Sequence, residues 1–241
     1  MKEEITGIKV CRIDKPQHCR IIERLNTFVV KVEINGRYYR AYLNNTGKLS
    51  EFLIHGRKAF CFKLPNRGKT DFRLFAIEER ELGALIDTHL QMAVFEKAVD
   101  RTLIPWLTGF QILKRNVTLG ASRIDYLLNC HGEAVYLEVK SAVLREREYA
   151  LYPDCPSARG RKHLKELTRH VNQGGEAIVL FIAALPEVKA FKPNKHADSK
   201  LYEDLITAYE AGVEFRAISF FYNPKDASVY LYNSDLEVNL T

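Results

Sequence analysis

The alternation of apolar and polar positions changes character near residue 80. Before it, short runs rich in Val, Ile, Phe and Tyr cover residues 5–13, 20–25, 28–34, 37–43, 58–64 and 72–77. Turn residues separate them: Asn35-Gly36, Asn44-Asn45-Thr46-Gly47 and Pro65-Asn66-Arg67-Gly68. A two-residue turn between alternating runs needs positive φ at both central positions, which Asn-Gly tolerates, so 28–43 reads as a hairpin. Several short strands without a long helix predict a small all-β barrel. An OB-like barrel suits the size and strand count, and another small barrel would fit nearly as well.

Beyond that point the period lengthens. Ile86, Leu90, Ala93 and Val94 recur at helical spacing towards Asp100, with Asp87 as a helix cap, and Pro105 prevents continuation. Strand-like runs follow at 110–119, 123–128 and 134–139, then a polar stretch over 144–156. Ser157 reads as the N-cap of a helix with Leu164, Leu167 and Val171 on one stripe, stopped by Gly174-Gly175. The nearly unbroken apolar run 177–185 fits a strand covered on both faces. A helix over 199–211 and strands over 213–222 and 228–232 complete the order α-β-β-β-α-β-α-β-β. That order predicts an α/β unit, a mixed sheet with helices on both faces. The expected organisation is therefore a barrel over 1–82 and an α/β domain over 83–241.

Composition narrows the class. The chain has 241 residues, no apolar run near the roughly 18 needed to cross a membrane, and a charged start without an apolar signal core, so a cytoplasmic protein is expected. Cys11, Cys19, Cys61, Cys130 and Cys155 form no CxxC pair and read as reduced thiols, with a Cys11–Cys19 bridge as the minor alternative. Phosphate-loop and dinucleotide glycine motifs are absent. Net charge is +6, unevenly spread: residues 1–80 hold 17 Lys/Arg against 9 Asp/Glu, and the rest hold 19 against 21. A basic barrel attracts polyanions, nucleic acid above all. Arg37, Tyr39, Arg40, Lys48, Arg123, Arg159, Arg161 and Lys162 are the candidate contacts, with Tyr38 and Phe62 as further stacking aromatics unless they belong to the barrel core. The apolar strands near 220–232 offer a sheet edge at which a homodimer can form.

Chemistry concentrates in Ser122-Arg123-Ile124-Asp125-Tyr126 and Leu137-Glu138-Val139-Lys140-Ser141. Alternation puts Glu138 and Lys140 on one face, and antiparallel pairing across a turn near 129–132 can set Asp125 beside Glu138. Two carboxylates in otherwise apolar strands repel, and a divalent cation relieves that repulsion. Mg²⁺ (or Mn²⁺) suits such a site, since it takes one or two carboxylates, keeps waters and accepts phosphate oxygens. The Val139 carbonyl and Glu96 are further candidate ligands, and Lys140 is positioned to hold a water or neutralise a phosphate. His163 and His170 find no partner in the sequence and read as surface residues. A solvent-exposed ion pair at a strand end is the alternative to a site.

Asn45-Thr46-Gly47, Ser122–128, Leu137-Glu138-Val139-Lys140-Ser141 and the block Tyr152-Pro153-Asp154-Cys155-Pro156-Ser157-Ala158-Arg159-Gly160-Arg161-Lys162-His163-Leu164 together resemble, in order, the blocks of the sugar fermentation stimulation protein A family. Tyr152, Cys155 and Ser157 stand where that family usually has Phe, Ala and Thr. The resemblance implies an N-terminal OB-like domain and a restriction-endonuclease-like C-terminal domain of the PD-(D/E)xK nuclease type, with Asp125, Glu138 and Lys140 at its catalytic positions. It also implies DNA binding, DNA before RNA, and a link to the regulation of sugar metabolism. Two functions follow as expectations: a Mg²⁺-dependent nuclease, or a DNA-binding regulator without cleavage; an enzyme acting on a small nucleotide or phosphosugar is a third reading, which explains the trio without needing the basic barrel.

Overall fold

The N-terminal runs close into a barrel, with one reassignment. The computed structural model describes residues 6–65 and 68–240. Ile5 of the first expected strand and Asn66-Arg67 of the third expected turn lie outside them. The runs become β1 (Ile8–Arg12), β2 (Gln17–Asn26), β3 (Val29–Ile34), β4 (Arg37–Leu43), β5 (Lys58–Lys63) and β6 (Phe72–Glu79). β3 lies between β2 and β4, β4 pairs with β6, and β5 joins β6 to β2, so five strands make a closed barrel. Ile21, Val30, Val32, Leu43, Cys61 and Leu74 are buried in it. The β3–β4 turn has Asn35 at φ +51 and Gly36 at φ +75, the geometry that selects this pair. β1 stands apart from the barrel. It pairs instead with the last strand of the chain.

β7 (Leu82–Leu85) leads out of the barrel by pairing with β6. After it come α1 (Thr88–Asp100), β8 (Phe110–Leu119), β9 (Ser122–Cys130), β10 (Glu133–Ser141), β11 (Leu144–Glu146), β12 (Tyr149–Tyr152), α2 (Ala158–Asn172), β13 (Glu176–Ala183), β14 (Ala190–Pro193), α3 (Ser199–Glu210), β15 (Glu214–Asn223) and β16 (Ser228–Val238). The main sheet runs β8-β9-β10-β13-β15-β16-β1, with β10, β13 and β15 parallel and the rest antiparallel. β13 sits at its centre, and Val179 to Ala183 are all fully buried, as the apolar run implied. Asp87 caps α1 by accepting from Leu90 N at 2.8 Å, and Ser157 caps α2 by accepting from Gly160 N at 3.0 Å. α1 packs Phe95 against Tyr126 on one face of the sheet, while α2 lies on the other face with α3 beside it, Tyr209 of α3 packing on Phe215 of β15.

Two expectations are corrected. The stretch 144–156 carries a ribbon, β11 with β12, and β12 continues in parallel onto β14. These strands are three or four residues long, and Arg145, Glu146 and Pro193 interrupt any apolar run, so the pattern was too short to register. The strands near 220–232, expected to offer a dimer edge, are paired on both sides among the described residues. β15 lies between β13 and β16, and β16 carries β1 on its other side. The run is apolar because neighbouring strands and helices cover it. No helix among the described residues is long and apolar enough to cross a membrane. The five cysteines are all free.

Candidate functional site

The site begins where two strands part. The antiparallel β9–β10 ladder runs from Cys130–Glu133 to Tyr126–Leu137 and stops. β10 stays extended because β13 pairs with its other edge as far as Ser141–Ile182. One step past the end of the β9 ladder, Asp125 lies opposite Glu138. Its Oδ2 accepts from the Val139 N–H at 2.8 Å, in place of a strand–strand bond. A residue in an extended strand turns its N–H and its carbonyl to the same side, so the Val139 carbonyl also faces the gap that β9 leaves. Alternation sends Glu138 and Lys140 together towards α2.

Glu138 and Lys140 are buried, at 2% and 7% exposure. One oxygen of Glu138 does all the bonding: Oε1 accepts from Lys140 Nζ at 2.6 Å and lies 2.5 Å from His163 Nδ1. Oε2 is equally buried and has no protein partner. Burial alone would push the Glu138 carboxyl up, but the Lys140 charge and the His163 and Lys140 hydrogen bonds outweigh it and hold the group below the ordinary carboxylate range. Burial likewise works against the Lys140 ammonium, and the Glu138 charge more than compensates. Asp125 has no such partner. Burial first, and then the neighbouring Glu138 charge, push it up to about 6 in spite of the Val139 N–H.

These groups line a cleft of about 540 Å³ between the barrel and the sheet. Its walls come from β9 and β10, Gln91 and Met92 of α1, Tyr152 to Gly160 with the start of α2, and Asn45, Thr46 and Gly47 of the barrel. Hydrogen bonds lock the barrel loop in place. Asn45 donates to the Ile86 carbonyl at 2.8 Å and accepts from Gly47 N, Arg24 donates to the Gly47 and Lys48 carbonyls at 2.7 Å, and Leu49 N donates to Asp154 at 2.9 Å. A Cβ at Gly47 would sit 2.5 Å from the Asp154 carboxylate, which would have to shift from its bond to Leu49 N.

Of the sequence candidates, Asp125, Glu138, Val139, Lys140 and Arg159 meet in this cleft. Glu96 does not. It accepts from the Tyr126 hydroxyl at 2.7 Å and pairs with Arg115, and Tyr126, adjacent to Asp125 in the strand, points to the opposite face. Tyr39 turns inward and meets Phe72 edge-on at 5.1 Å, so it belongs to the barrel core, whereas Phe62 lies on the outer face of the barrel, packed on Phe75, whose ring meets Tyr222 of β15. Arg37 and Arg40 are exposed on β4, and Tyr38 is 63% exposed with Lys31 over its ring. Lys48 is exposed one residue beyond the cleft wall. Arg123 is exposed and donates to the Asn116 carbonyl. Arg161 is tied to Asp198 at 3.3 Å, and Lys162 is exposed on α2.

Comparison with known proteins agrees with this architecture. Residues 22–86 match the model of the SfsA N-terminal OB domain, and residues 89–226 match that of the sugar fermentation stimulation protein RE domain. The chain belongs to the sugar fermentation stimulation protein family. It is 46% identical over 231 residues to the homolog of Archaeoglobus fulgidus, covering 96% of this chain and 99% of that one. It is 44% identical over 220 residues to the homolog of Pyrococcus furiosus, covering 91% and 95%. A solved structure of the Pyrococcus furiosus protein, in complex with Ca²⁺, superimposes with a TM-score of 0.93 at 42% identity over 97% of this chain and all of that one.

His163 is the residue that sequence reasoning misplaced. It is buried at 4% exposure against Glu138, not on the surface. Its partner lies 25 residues away on a strand, so no local spacing signals the contact. The signal available was its place within the block 152–164 that the family resemblance rests on. His170 is half-buried, edge-on to the Tyr136 ring at 4.9 Å.

Proposed function

We propose that this protein is a Mg²⁺-dependent nuclease of the PD-(D/E)xK type that cleaves phosphodiester bonds in DNA. The carrying observation is the buried, partnerless Oε2 of Glu138, beside Asp125 and Lys140 in an open cleft. A buried carboxylate oxygen without a donor costs on the order of 1–3 kcal/mol or more, a cost a cation removes. Glu138 Oε2, Asp125 Oδ1 and the Val139 carbonyl are the oxygens free to take part. Among the described residues no cluster of three or more His, Cys, Asp or Glu forms a ligand set. Two carboxylates and a carbonyl fit a hard cation that keeps several waters, which is the habit of Mg²⁺.

When bound, the cation supplies Lewis-acid charge for a phosphate oxygen and lowers the pKa of a water. The chain supplies the rest. Lys140 carries the positive charge closest to the carboxylates and is placed to stabilise charge developing on a phosphate. Asp125, raised to about 6 by burial and the Glu138 charge, is ionised at neutral pH and so able to hold the cation. Arg159 and the first free amides of α2 face the same cleft and suit a phosphate. The basic excess of the first 80 residues, with Arg37, Arg40 and Lys48 exposed, would hold the polyanion alongside.

The test is a panel of labelled DNA and RNA, single- and double-stranded, incubated with Mg²⁺ or Mn²⁺. Wild type is expected to cut DNA, and Glu138→Ala to reduce cutting by roughly a hundredfold or more. Equal inactivity of both proteins on every substrate would refute the nuclease reading and leave a binding protein.

A further inference from the structure

Glu138 has two buried donors, and both hold the same oxygen. Lys140 reaches Oε1 from within β10, and His163 reaches it from α2. A carboxylate with one oxygen pinned from two directions cannot rotate about its terminal bond, so its other oxygen keeps one direction. The His163 ring is fixed in turn: Arg159, one helical turn earlier and exposed at the cleft, donates through Nε to His163 Nε2 at 3.4 Å. Accepting that bond leaves Nε2 without a proton and puts the ring proton on Nδ1, facing Glu138. α2 is anchored independently. Three residues beyond His163, the buried Glu166 accepts from Ala121 N at 3.3 Å in the β8–β9 turn and pairs with Arg169 at 2.5 Å. Arg159, His163 and Glu166 therefore form one polar stripe laid over the carboxylate face of the sheet.

We infer that His163 is a positioning residue, whose Nδ1–H clamps Glu138 Oε1 so that Oε2 is presented to a divalent cation. The inference rests on the metal-site reading above. It differs from a merely satisfied core histidine in requiring one particular nitrogen. Nδ1 is bonded to Cγ, as is the amide nitrogen of Asn, whereas Nε2 lies one atom further out, as does that of Gln. Asn at 163 can therefore restore the donor to Glu138, and Gln cannot.

The experiment is calorimetric titration of the full-length protein with Mn²⁺ alone, without nucleic acid, for wild type, Glu138→Ala, His163→Asn, His163→Gln and His163→Phe. Circular dichroism establishes that each is folded. His163→Gln and His163→Phe are expected to weaken Mn²⁺ binding roughly ten- to a hundredfold, the usual cost of losing a hydrogen-bond partner of a ligand. His163→Asn is expected to recover at least half of that loss on a logarithmic scale. If His163→Phe does not fold, the Asn–Gln contrast decides alone. Equal affinity of the Asn and Gln variants, or wild-type affinity in His163→Gln, would overturn the inference while leaving the metal site standing. Equal binding by wild type and Glu138→Ala would instead remove the metal-site reading itself, and the inference with it.

Discussion

Two glutamates hold opposite faces of the same pair of strands. Glu96, on α1, has both oxygens occupied: Oε1 by the Tyr126 hydroxyl and Oε2 by Arg115. Glu138, on the other face, has two donors on one oxygen and none on the other. Glu96 thus closes a contact between helix and sheet, and the neighbouring Tyr126 hydroxyl is pushed up by burial and by its bond to Glu96, so it stays a donor. Glu138 leaves a contact open. The difference teaches that burial and charge pairing do not distinguish a structural carboxylate from a functional one. An oxygen without a donor singles out Glu138 only together with the open cleft beside it, since Glu79 Oε2 and Asp226 Oδ1 are also buried and unpartnered.

The contrast can be broken most severely through Lys140. Lys140→Met removes the charge that keeps Glu138 ionised, and truncating one partner of a buried pair costs about 3–5 kcal/mol. Urea unfolding at pH 7 measures this, and a loss below about 1 kcal/mol would mean that His163 alone suffices to hold Glu138.

Asp125 gives the next effect, with the opposite sign. Its folded-state pKa of about 6 lies above the ordinary 3.8, so the folded protein holds that proton more tightly than the unfolded chain. Its contribution to stability is complete below pH 4, declines as pH rises towards 6, and is a net cost beyond. Asp125 is partly exposed, so that cost is discounted to about 1–2 kcal/mol. Asp125→Asn keeps an acceptor for the Val139 N–H. It is expected to raise the melting temperature of the metal-free protein at pH 7.5, to leave it unchanged at pH 4, and to abolish cleavage. Equal shifts at both pH values would point to packing in place of ionisation.

The smallest effect sharpens the comparison from the other face. Glu96→Gln should cost about 1 kcal/mol or less, since the pair with Arg115 is largely exposed on the arginine side. It should leave Mn²⁺ affinity within about twofold of wild type. A large loss of affinity would place Glu96 back among the ligands.

Much of this was legible in the chain. Period-two runs and Asn35-Gly36 specify the barrel hairpin, the 177–185 run specifies a doubly covered central strand, and Asp87 and Ser157 specify helix starts, because each signal is contained within a few neighbouring residues. Convergence of Asp125, Glu138, Val139 and Lys140 was also readable, as it needs only strand alternation and one tight turn. What the sequence could not decide depends on partners far apart. β1 pairs with β16 instead of joining the barrel, and β1 with β13 covers the edge expected near 220–232. Orientation of α2 turned His163 inwards onto Glu138, while α1 carried Glu96 to the opposite face and onto Arg115. Local sequence sets which way a side chain points from its own strand or helix. Which oxygen is left without a donor is set by the packing of whole elements, and that is a property of the tertiary fold.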